Sequence, residues 1–422
     1  MIPSQLISQE VAYAVNTNSF RKSALSAVTG FIALTLIACS PGTVAVNNSQ
    51  SPSSTAGMPG QSVQSTAKPD PTATPAPSPE PTGTGAVFQN SGKKRVKARG
   101  LYLTATSAGV KLKHYIELAN QTEINSYVID YKDDDGYVCV DSKVPLAKEV
   151  HAIDVRYDAE KVVKQLHENN IYAIARIVCF KDPFLSKGRP DMAIKNKDGG
   201  LYVHNKKTWV DAYNREAWQY NIDLAKEALA KGFDEVQFDY IRFPDGKKSQ
   251  MVFSNTEGKK MNETINSFLA EARKQMPGDI LSGDVFAIIC ESPGDTEGIG
   301  QVWEEVGESL DYVCPMSYPS HYALGQIINK VRFSKPDLDP YNVIKNTYLK
   351  AKERLSKVDG HKPMLRAYLQ DFTATWIGKG NYQHYGADQV RQQIQAVYDA
   401  GYDEWFLWDP MNTYDEAAFQ KE

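Results

Sequence analysis

Two aspartates fall at matching places in two strand-like stretches of this 422-residue chain. Along Glu235-Val236-Gln237-Phe238-Asp239, polar and apolar residues alternate with the two-residue period of a strand, so Gln237 and Asp239 share a face. In Ile280-Leu281-Ser282-Gly283-Asp284-Val285 the same logic pairs Ser282 with Asp284. Neighbouring strands run about 4.8 Å apart. Asp239 and Asp284 on neighbouring strands would therefore suit the roughly 5–5.5 Å carboxyl spacing of retaining glycosidic cleavage. In that chemistry one carboxylate attacks the acetal carbon while the other group protonates the departing oxygen.

Other polar side chains recur near the C-terminal ends of apolar stretches, where a buried strand normally carries none. They are Asp130, Lys132, Arg176, Gln370 and Asp409, with Asp371 directly after Gln370. Any one of them reads equally well as a cap, but their recurrence at one end points to a shared site. Trp209, Tyr318 and Trp408 are expected to line a sugar cleft, with Arg176, Lys181, Asp211, Arg242 and His321 supplying hydrogen bonds.

These residues need a scaffold, and the pattern beyond Lys97 provides one. Strand-like segments at 100–104, 126–130, 172–178, 235–239, 280–285, 312–316, 364–369 and 404–408 alternate with stretches of helical length. Three helices are clear at 157–168, 215–231 and 387–400, the last two stopping at Gly232 and Gly401. Eight such units predict a (β/α)8 TIM barrel with long βα loops. An open doubly wound sheet is the rival, but no glycine-rich phosphate loop follows the first strand. The longest excursion, 182–214, contains Asp198-Gly199, a hairpin-turn signal.

Ahead of the barrel the composition changes. Arg21 and Lys22 precede an apolar run, Ala24 to Ala38, too short to cross a membrane comfortably and ending Leu36-Ile37-Ala38-Cys39. Residues 1–39 read as a lipoprotein signal peptide, with Cys39 the lipidated residue. Residues 40–96 read as a disordered linker rich in Ser, Thr and Pro, with too little apolar surface to offset ordering. Residues 97–422 form the barrel. The expected location is the outer face of the cell membrane, held by the N-terminal lipid anchor.

A formal net charge of −4 gives no basic surface for nucleic acid. The five cysteines form no CxxC pair, and the seven histidines form no HxH or HExxH pattern. No metal and no cofactor are expected, and oligomeric state stays open.

The chain resembles a bacterial family assigned to the glycosyl hydrolases by analogy, formerly a domain of unknown function and similar to alpha-amylase-like barrels. The resemblance rests on Ala175-Arg176-Ile177-Val178-Cys179-Phe180-Lys181-Asp182-Pro183, Trp209-Val210-Asp211-Ala212-Tyr213-Asn214 and Phe238-Asp239-Tyr240-Ile241-Arg242-Phe243-Pro244. It continues through Ser282-Gly283-Asp284-Val285-Phe286, Pro315-Met316-Ser317-Tyr318-Pro319-Ser320-His321-Tyr322 and Leu369-Gln370-Asp371-Phe372, in order from about Arg99 to Pro410. It implies a hydrolase acting on an envelope or extracellular poly- or oligosaccharide, with Asp239 as nucleophile. The acid of amylase-like barrels is a glutamate ending the fifth strand. Here that position is Asp284, one methylene shorter, and Glu291 in the following loop is the fallback. Gln237 stands where that pattern has an arginine. The alternative function is a non-catalytic carbohydrate-binding or cell-wall scaffold lipoprotein.

Overall fold

The computed structural model describes residues 95–254 and 256–421. The expected signal peptide, Cys39 and all but the last two residues of the expected linker lie outside the described residues.

Eight parallel strands close into a barrel: β1 (Arg99–Leu103), β2 (Ser126–Lys132), β3 (Tyr172–Val178) and β4 (Glu235–Asp239). They continue with β5 (Ile280–Phe286), β6 (Tyr312–Met316), β7 (Met364–Leu365 and Ala367–Gln370, interrupted at Arg366) and β8 (Trp405–Trp408). Each strand pairs with the next in sequence, and Arg99↔Trp405 through Leu101↔Leu407 join β1 to β8, so no edge is left. At the interruption the Arg366 amide still donates to the Val313 carbonyl of β6 (3.1 Å), while its side chain reaches Glu235 and Glu404.

The outer layer follows from amphipathic patterning. Helix α1 (Leu112–Gln121) precedes β2, and α2 (Ala159–Glu168), capped by Asp158 on the Lys161 amide, precedes β3. Helix α3 (Arg215–Ala230) starts at Asn214, whose side chain accepts from the Ala217 amide, and is followed by Gly232 at φ +102°. Helix α4 (Met261–Gln275) presses Phe268 edge-on against Phe180, Trp218 and Phe238. Burying one such ring contributes about 1.5–3 kcal/mol. Helices α5 (Pro340–Leu355) and α6 (Ala387–Asp399) complete the wall, and Gly401 at φ +86° ends the latter. Between β5 and β6 the helix is replaced by a 3-10 turn, Ala287–Cys290, and an irregular stretch in which Gly294, Gly298 and Gly300 all take positive φ. The 182–214 excursion carries the Asn196–Gly200 turn, with Gly199 at φ +82°, and a small hairpin pairing Val203–His204 with Lys207–Thr208.

The barrel interior is filled in layers. At the N-terminal end, Arg366 from β7 donates to Glu235 on β4 (2.8 and 3.1 Å) and to Glu404 beside β8 (2.9 Å). Ser282 and Tyr172 donate to the same Glu235. Strands on opposite sides of the barrel can share these bonds only through its lumen, so this cluster plugs the lower end. All three charged residues are buried, and each charge has a partner, as burial demands. Gln237 and Cys314 lie above it, in contact with each other. Among the described residues no helix is long and apolar enough to cross a membrane. Cys139, Cys179, Cys290 and Cys314 are free and buried.

Candidate active site

At the C-terminal end the lumen opens into a cavity of about 430 Å³, within the range of small-molecule sites. Asp239 and Arg176 line its inner side. Arg176 is held from several sides: Nη1 donates to Asp130 (2.7 Å) and Asp134 (3.0 Å), and Nε and Nη2 donate to Asp239 (3.0 and 2.6 Å). Its guanidinium lies 5.4 Å from the Tyr102 ring centre and 5.0 Å from that of Trp408, rings that themselves stack at 3.8 Å. The other Asp239 oxygen accepts from the Tyr240 amide at 2.6 Å. Tyr240 takes φ +51°, an uncommon conformation for a bulky residue, directly after the carboxylate it helps to hold. Lys181 bonds Asp134 (3.1 Å) and the Tyr240 hydroxyl (2.9 Å).

The carboxyls differ sharply in electrostatics. Burial alone would raise Asp134, but Arg176 and Lys181 together hold it below the usual carboxylate range. Burial pushes Asp130 up to about 7 against the pull of Arg176. The register Phe238↔Gly283 makes Asp239 and Asp284 consecutive neighbours on β4 and β5. Burial, then the charge of Asp239, pushes Asp284 well above the usual range, and its Oδ1 has no hydrogen-bond partner. Asp371 is likewise pushed well up, by burial and then by Asp409 and Asp415. Burial lowers His321 to about 4, leaving it neutral at physiological pH.

Of the residues singled out from sequence, Arg176, Asp239, Tyr318, His321, Asp371, Trp408 and Asp409 line this cavity. The others sit elsewhere, each for a visible reason. Asp284 is 1% exposed and does not line the cavity. Glu291 accepts from the Asn329 amide (2.7 Å), in the loop after β5 and away from the cavity lining. Lys132 follows a register shift in β2 and is buried between strand and helix, on Asp182 (2.7 Å) and Asn221 (2.8 Å). Trp209, expected to be a sugar platform, is wholly buried beneath Arg242 and Tyr240. Arg242 lies among the rings of Trp209, Tyr240 and Phe286, and its Nη1 donates to the Phe243 carbonyl. Asp211 accepts from Tyr213 and Ser254, bracing their loops. Gln370 accepts from the Ser320 amide and donates to Asp337 and to the Phe372 carbonyl, bracing their loops in turn. Asp130 and Lys181 act on the cavity through Arg176, Asp134 and Tyr240.

The sequence reading passed over Asp134, Trp376 and His384, which line the cavity. Trp376 is half-buried and stacks on Phe372 at 5.8 Å, presenting an aromatic face of the kind sugar rings pack on. The run Asp133-Asp134-Asp135 directly after β2 was the available signal for Asp134. Among the described residues no group of three or more His, Cys, Asp or Glu is arranged to hold a metal ion.

A family model described as "Putative glycosyl hydrolase domain" matches residues 100–414. Among solved structures, the chain is 52% identical to a hypothetical protein from Ruminiclostridium thermocellum ATCC 27405, over 44% of this chain and 97% of that one, with a TM-score of 0.42. The glycoside hydrolase domain of PgaB (BpsB) from Bordetella bronchiseptica matches at 14% identity over 76% of this chain and 98% of that one. Its TM-score of 0.55 shows a shared fold. No curated protein matches the chain.

Proposed function

The chain belongs to the "Putative glycosyl hydrolase domain" family, and from that premise we propose that it cleaves glycosidic bonds in an extracellular or envelope poly- or oligosaccharide, with retention and with Asp239 as nucleophile. The observation that carries this reading is the Asp239 carboxylate, fixed by Arg176 and the Tyr240 amide at the inner side of an aromatic-walled cavity. A nucleophile must be ionised and aimed before substrate arrives. Arg176 supplies the opposing charge, and its two bonds on one oxygen with the Tyr240 amide on the other stop the group from rotating. Trp376, Phe372 and Trp408 offer ring faces to a sugar, while Asp409, Asp134 and the neutral His321 offer polar atoms to its hydroxyls.

A panel of polysaccharides incubated with wild type and Asp239→Asn tests the reading. Wild type should release reducing ends from at least one polymer, the variant from none, and the first product should keep the anomeric configuration of the substrate by proton NMR. Cleavage by Asp239→Asn at the wild-type rate would discard the nucleophile. Binding without cleavage by a folded wild type would favour a carbohydrate-binding module. We further propose that the lipid anchor at Cys39 and the linker hold this barrel at the outer face of the cell membrane.

A further inference from the structure

A retaining hydrolase needs a proton donor facing the bond that Asp239 attacks, and Asp284 does not line the cavity. The cavity does have a second buried carboxyl. Asp371 follows the last residue of β7 and is 5% exposed. Its amide donates to the Trp408 carbonyl at 2.9 Å, which fixes the backbone, while its Oδ2 has no hydrogen-bond partner. Strands β4 and β7 are three apart round the ring of eight, so Asp239 and Asp371 face the same space from separate walls.

We propose that Asp371 is the general acid and base of this site, an assignment that rests on the hydrolase reading above. In the first step the bond from the anomeric carbon to the leaving oxygen breaks while a bond forms to an Asp239 carboxylate oxygen. The bonding electron pair departs with the leaving oxygen, which takes the proton of Asp371. Water then attacks the anomeric carbon and the bond to Asp239 breaks, its electron pair returning to the carboxylate. The proton released by that water goes back to Asp371, and the sum is one glycoside plus one water giving a hemiacetal sugar and one alcohol.

The surroundings suit this cycle. Asp409 and Asp415 approach Asp371 from the loop after β8, and burial with these two charges holds its proton on. Two histidines, His321 and His384, also line the cavity, with Arg176 and Asp239 on the inner side. Arg176 is committed to carboxylates on β2, β4 and the loop after β2. Burial and the charge of Asp239 favour the neutral form of Asp284, which limits the negative charge next to the nucleophile.

The full-length chain tests this, using 2,4-dinitrophenyl and methyl glycosides of the sugar released by wild type. Asp371→Asn should lower kcat/KM for the methyl glycoside by about 10²–10⁴-fold, the usual worth of a general acid. The dinitrophenyl glycoside, whose leaving group needs no proton, should lose far less in bond cleavage. Azide should raise its turnover by the variant and give a glycosyl azide. The basic limb of the pH profile should vanish in Asp371→Asn and persist in Asp371→Glu. Equal losses on both glycosides without azide rescue, or loss of the limb in Asp371→Glu, overturn the assignment. So does the same leaving-group pattern appearing in Asp284→Asn instead. No cleavage by wild type would sink the hydrolase reading itself, and full activity of Asp239→Asn would remove its nucleophile, outcomes distinct from these.

Discussion

Arg176 places two of its nitrogens, Nε at 3.0 Å and Nη2 at 2.6 Å, on the same Oδ2 of Asp239. Its third nitrogen, Nη1, spans Asp130 and Asp134, so one side chain neutralises and orients carboxylates from three places in the chain. Lysine has one nitrogen and cannot serve them all. Arg176→Ala should cost about 3–5 kcal/mol of stability, because it leaves buried charges without their partner. Arg176→Lys should cost less and still lower kcat. Urea unfolding and steady-state kinetics on both variants check this, and an Arg176→Ala variant as stable as wild type contradicts it.

Trp209 and Trp376 should separate packing from binding. Trp209 is wholly buried, so Trp209→Ala should destabilise by about 3–5 kcal/mol through the void it leaves. Trp376 lies half-exposed on the cavity wall. Trp376→Ala should leave the melting temperature within a few degrees of wild type and weaken oligosaccharide binding about tenfold, roughly 1.4 kcal/mol. Thermal melts and calorimetric titrations distinguish the two, and the opposite pattern would refute the placement.

Asp130 should imprint a pH dependence on stability. Its pKa in the folded chain is about 7, against an ordinary value of 3.8, so between these values the folded state binds more protons than the unfolded one. Stability therefore falls as pH rises from about 4 to 7, and below that window this group contributes no slope. Asp284 and Asp371, also raised, act in the same direction. Asp130→Asn should thus show a shallower decline in melting temperature over that range than wild type. Parallel curves would show that Asp130 is ionised throughout.

Cys39→Ser tests the anchor. The substitution removes the acceptor thiol, so the precursor should stay unprocessed or the protein should leave the membrane fraction. Normal processing with unchanged membrane retention would rule out lipidation at this residue.

Much of the scaffold was legible because its signals are local. The bounds of β3, β4 and β6 coincide with the alternating or apolar runs at 172–178, 235–239 and 312–316, and Gly232 and Gly401 mark helix ends by their positive φ. Site membership was less legible, because a residue type near a strand end does not say which side of the wall it faces. Lys132 looked like Asp130 two positions earlier, which holds Arg176, yet a register shift between them turns it outward to Asp182. Trp209 and Trp376 are equally aromatic, and only the packing of Arg242 and Tyr240 over the first tells them apart.

The Glu235–Arg366–Glu404 cluster makes the barrel a cup with one mouth. A polymer cannot be threaded through it, so a glycan must either lie across the rim or dip an end inside, and both products must leave by the route the substrate took. Cleavage several sugars from a chain end therefore requires the rim loops after β6, β7 and β8 to accommodate the chain on both sides of the scissile bond, which makes those loops, rather than the strands, the arbiters of whether this barrel trims ends or cuts within.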